Sequence, residues 1–84
     1  MAVKLIEIAH DPATPDEMTI HFQAHHATFA KAVKNGLDSS LNGFNFAYKL
    51  CDIQKSTPRD GLSVFVVNGP RDCVIAVSRA LVRN

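Results

Sequence analysis

Residues 44–55, FNFAYKLCDIQK, contain KLCDI (49–53), which echoes KLIEI at residues 4–8. The echo extends along the chain. MTIHF (18–22) is matched by LSVFV (62–66), and ATFAKAVKNGL (27–37) by RDCVIAVSRAL (71–81). The offset is 45 in the first block and 44 in the other two, and Thr14-Pro15 and Thr57-Pro58 fall in the loop each time. Each half therefore reads strand, loop, strand, helix, as an internal duplication would produce. The half-repeats span about residues 3–41 and 44–83 of one domain, 1–84.

Within residues 44–55, Phe44, Phe46, Tyr48 and Leu50 alternate with the residues between them, so the segment is expected to be a strand with those four side chains on one face. Cys51 and Ile53 lie opposite, beside Lys49 and Ala47. Residues 3–8 form the matching first strand, with Ile6 and Ile8 inward and Val3, Leu5 and Glu7 outward. HDPATPD (10–16) holds two prolines among polar turn-formers and reads as a loop. Residues 17–24 alternate, with Met18, Ile20, Phe22 and Ala24 against Thr19, His21 and Gln23, which predicts a half-buried strand. From Ala27 the period becomes helical: Phe29, Val33, Leu37 and Leu41 form one stripe. Gly36 either ends that helix or permits close packing. STPRDG (56–61) is the second return loop, Leu62–Val67 is the second long strand, and Asn68-Gly69-Pro70 breaks it. Cys73, Ala76, Val77, Ala80 and Leu81 form the buried stripe of a final helix, with Pro70 and Asp72 suited to its first turn.

The expected fold is α+β, ββαββα: a four-stranded antiparallel sheet with two helices on one face, a permuted ferredoxin-like order. Fold analogy implies no chemistry. Helices on one face leave the other bare. The 44-residue offset aligns Phe65 and Val67 with outward positions of the first half. Phe46, Tyr48, Leu50, Phe65 and Val67 would then form an apolar patch larger than monomers usually expose. Such a patch, with the sheet edges, predicts self-association: a homo-oligomer, with a dimer favoured, and a contact surface for a protein partner.

Composition sets limits. At 84 residues, 46% hydrophobic and 20% charged, the chain is an ordinary globular domain with a modest core, which oligomerisation would reinforce. A net charge of +1 argues against a nucleic-acid footprint. A nucleic-acid module would have to rely on Lys31, Lys34, Arg71, Arg79 and Arg83 on the helix faces. Met1-Ala2 leads straight into VKLIEIAHD, so no secretory signal or membrane span is expected and the domain reads as cytoplasmic. Cys51 and Cys73 lack CxxC spacing and are expected to be reduced core residues.

His10, His21 and His25 form the alternative site, for a small ligand or a metal. Spacing i, i+4 puts His21 and His25 on one face, with His10 or Asp11 as a third group from the loop. No HExxH or Cys pattern completes it. Cys73 near a helix N-terminus could be a low-pKa thiol, and Glu7 and Asp52 a carboxylate pair, but a core cysteine and solvated strand charges explain them. No catalytic set and no cofactor is implied, so the expected function is non-enzymatic.

Overall fold

A computed structural model of the chain describes residues 3–39, 43–56 and 61–83. It is α+β, with a four-stranded antiparallel sheet and three helices: β1 (Lys4–Ala9), β2 (Glu17–Ala24), α1 (His26–Ser39), α2 (Phe44–Leu50), β3 (Asp52–Lys55), β4 (Ser63–Pro70) and α3 (Arg71–Arg83). The strand order is β1-β2-β4-β3.

The central pair, β2 and β4, runs in unbroken register from Glu17↔Pro70 to Ala24↔Ser63. Ile20, Phe22 and Ala24 face the helices together with their cross-strand neighbours Val67, Phe65 and Ser63, and all six are buried. Full burial of a side chain such as Phe22 contributes about 2 kcal/mol. Phe29 of α1 stacks on Phe65 with ring centroids 3.8 Å apart, which fixes α1 over β4. Val74, Val77 and Leu81 of α3 complete the core. The backbone N–H of Arg71 donates to Asp16 O at 2.7 Å, tying the start of α3 to the β1–β2 loop. That loop is itself a built turn, with the Ala13 N–H donating to Asp11 Oδ1 at 2.9 Å.

Three sequence expectations need correction. Residues 44–50 are a helix, not a strand. A short run in which every second residue is apolar also satisfies i, i+4 spacing, so periodicity alone does not separate the two. The burial is helical: Phe44 and Ala47 are buried, and Tyr48 stacks on Phe44 at 5.7 Å. The seat for Phe44 is Gly36. A Cβ there would lie 2.7 Å from the Phe44 ring, so α1 runs through Gly36 to Ser39 and the glycine permits the close approach. The chain turns extended again at Cys51, and β3 keeps only Asp52–Lys55. Pro70 closes β4 rather than opening α3.

The second correction is the offset between the halves. Helix α1 starts at His26 and α3 at Arg71, an offset of 45, the same as in the first block. At 45, buried Phe29, Ala32, Val33 and Gly36 fall on buried Val74, Val77, Ser78 and Leu81. An offset of 44 is one residue short, and a one-residue slip exchanges the two faces of a strand. Phe65 and Val67 are therefore core residues, 5% and 0% exposed, and not part of the sheet back.

The third lies in β1. Lys4↔Gln23 and Leu5↔Phe22 are in register, but then Glu7↔His21 and Ile8↔Ile20 follow, so Ile6 is an extra residue at a bulge. Val3 is buried, and Leu5 and Ile8 share the helix side, while Lys4 and Glu7 share the other. Leu41 and residues 57–60 of the STPRDG loop lie outside the described residues.

Candidate association surfaces

The back of the sheet is mostly polar. Thr19, His21 and Gln23 of β2 lie beside Val66, Val64 and Asn68 of β4, with Asp52 and Gln54 of β3 beyond. Asn68 Nδ2 donates to Thr19 Oγ1 and reaches Met18 O at 3.4 Å. A shallow depression of about 220 Å³ here is lined by Thr19, Asp52, Gln54, Val66 and Asn68. The five residues expected to form one apolar patch are not brought together. Phe46 and Leu50 are exposed on α2, Phe46 at 71%; Tyr48 is half-buried against Phe44; Phe65 and Val67 lie beneath the helices.

Besides Phe46 and Leu50 on α2 and Val82 on α3, exposed apolar side chains gather on one strand. Leu5, Ile6 and Ile8, all on edge strand β1, are exposed, Ile8 at 55%. Its counterpart at an offset of 45, Ile53, is half-buried and packs against the core. Among the described residues no strand borders the outer edge of β1. Alternation placed Ile8 on the helix side, where it lies, but at the sheet edge that side leaves it exposed; Leu5, expected outward, is turned to the helix side by the bulge and is exposed there as well. A second apolar site is a groove of about 430 Å³ between α1 and α2, floored by Phe29, Val33, Leu37 and Tyr48 and rimmed by Lys34 and Asp38.

The histidines separate. His10 stays in the β1–β2 loop, where its ring Nε2–H donates to Pro15 O at 3.3 Å. His21 sits on the sheet back opposite Glu7 and Val66. His25 follows β2, and its ring packs against Gly61, whose φ of 79° already requires glycine. Among the described residues no three His, Cys, Asp or Glu side chains form a group able to hold a metal. Glu7 and Asp52 lie on the two opposite edge strands, with β2 and β4 between them.

Both cysteines are free and half-buried. Burial first, and then the neighbouring Cys73, pushes the Cys51 thiol up to about 11. A thiol held protonated in this way is a poor nucleophile.

Lys31, Lys34, Arg71 and Arg79 are exposed; the Arg83 side chain lies outside the described residues. Helices α1, α2 and α3 together carry six Lys and Arg against Asp38 and Asp72, a net +4. The rest of the chain carries three Lys and Arg against six carboxylates, a net −3. Among the described residues no helix is long and apolar enough to cross a membrane. Compared with protein-family models, curated proteins and solved structures, the chain matches none.

Proposed function

We propose that this protein is a small, non-enzymatic association domain that forms a homo-oligomer, a dimer first, and through it meets a protein partner. One observation carries the reading: an edge strand of the sheet presents Leu5, Ile6 and Ile8 to solvent. An open edge offers unpaired backbone N–H and C=O groups, and apolar side chains beside it favour pairing with another strand. The modest core of an 84-residue chain gains from added burial. The surface differs from the sheet back that alternation suggested, but the type of function is the same.

The fold reading belongs to this proposal too. The strand order β1-β2-β4-β3, with helices after the second and fourth strands, supports a circularly permuted ferredoxin-like arrangement. The 45-residue repeat of buried positions supports internal duplication. We place the domain in the cytoplasm, where two free cysteines stay reduced.

The test is a native mass spectrum and light scattering over a range of protein concentrations. A dimer that Ile8→Lys converts to a folded monomer is the expected result. A wild-type protein that stays monomeric up to millimolar concentration overturns the reading.

A second reading rests on the charge partition. A helix layer at +4 can hold a polyanion, including nucleic acid, even though the whole chain is nearly neutral. Binding to single- or double-stranded nucleic acid should then weaken steeply with salt, and Lys34→Glu with Arg79→Glu should abolish it. Absence of binding at low salt removes this reading.

A further inference from the structure

We infer that the second copy of this chain pairs antiparallel along β1, about a two-fold axis between Leu5 and Ile6, so that Lys4 of each copy faces Glu7 of the other. The inference rests on the self-association reading and gives that contact a register.

Three observations select this register. β1 is an edge strand with exposed apolar side chains, so a partner strand would extend the sheet from four strands to eight. The bulge at Ile6 places Lys4 and Glu7 on the same, helix-free side of β1, since they pair with Gln23 and His21, both outward on β2. In a regular strand residues three apart lie on opposite faces, and a copy could not bring them together. Finally, pairing Lys4 with Glu7 of the copy also pairs Val3 with its Ile8, and both of these lie on the helix side. One register thus matches charge on one face and apolar side chains on the other.

A lysine or a bulge on an edge commonly discourages pairing. Here Glu7 balances Lys4, and the bulge is what makes the edge complementary to itself. A two-fold contact repeats each pair, so both Lys–Glu pairs form or fail together.

The experiment uses the full chain with Lys4→Glu, Glu7→Lys and the double variant, read by analytical ultracentrifugation and native mass spectrometry, with circular dichroism to confirm folding. Each single variant sets like charges opposite each other twice and should weaken the dimer about tenfold. The double variant should regain wild-type affinity. Mixing the two single variants should yield mainly heterodimer, because every facing pair is then of opposite charge. If both single variants dimerise like wild type and mix statistically, the register is wrong while self-association stands. A wild-type protein that is monomeric, leaving β1 to a strand of another protein, overturns both.

Discussion

His21 and Val66 face each other across the central strands, and each is the other's counterpart under the 45-residue offset between the halves. The ladder between β2 and β4 maps onto itself about that pair: Ile20↔Val67 becomes Phe65↔Phe22, and Ala24↔Ser63 becomes Gly69↔Met18. At that offset Phe29 of α1 and Val74 of α3 are counterparts, and both are buried. The edges do not share this likeness, since Ile53 is half-buried and Ile8 is not.

Seating of Phe44 on Gly36 makes Gly36→Ala a test of α2. Alanine raises helix propensity by about 1 kcal/mol. Its Cβ would nevertheless fall 2.7 Å from a ring that is only 2% exposed. Overpacking of that kind costs about 1–3 kcal/mol. We expect net destabilisation of about 1 kcal/mol in urea unfolding, and more for Gly36→Val. Stabilisation by alanine would show that the ring does not sit there.

Two phenylalanines that alternation assigned to one surface should behave oppositely. Phe65→Ala removes a buried ring stacked on Phe29 and should cost about 3–5 kcal/mol. Phe46→Ser, at a position 71% exposed, should change stability by no more than about 0.5 kcal/mol. Phe65→Glu should unfold the domain instead of yielding a soluble monomer. Equal costs for Phe65→Ala and Phe46→Ser in thermal unfolding would contradict the assignment of β4.

Among the described residues the buried Ser78 hydroxyl, at the position equivalent to Val33, has no hydrogen-bond partner. Leaving such a group unpaired costs about 1–3 kcal/mol. Ser78→Ala should stabilise the fold by up to about 1 kcal/mol, read as a higher urea midpoint at unchanged slope. A loss of more than about 1 kcal/mol would mean that the hydroxyl has a partner in solution.

Cys51 links stability to alkaline pH. Its thiol is raised from 9.0 to about 11 in the folded chain, so between those values the folded state holds a proton that the unfolded state has released. Stability is then unaffected below about pH 9 and falls as pH rises towards 11. The readout is the difference between wild type and Cys51→Ala, in which contributions common to both proteins cancel. The wild type should lose more stability over this window; parallel pH profiles would show that the thiol is not desolvated.

Much of the molecule was legible in the residues themselves. Strict alternation in residues 17–24 gave β2 with the correct buried face, and the three-to-four spacing of Phe29 and Val33 gave α1. These segments are long enough for one period to dominate. Residues 44–50 are not: Phe44, Phe46, Tyr48 and Leu50 satisfy a strand by alternation and a helix by spacing. The deciding fact is a notch 2.7 Å from the Phe44 ring, made by a glycine eight residues earlier. The faces of β1 and β4 depended on register, which pairing across the sheet sets. The extra residue at Ile6 reverses the expected faces of Val3 and Leu5 while Glu7 and Ile8 keep theirs, and one residue of error in the repeat exchanges the two faces of β4. Local sequence thus determined the α+β class and the helical and extended stretches with strong periods. Tertiary structure alone decided which apolar side chains are buried and which remain open on β1, because burial depends on partners distant in the chain.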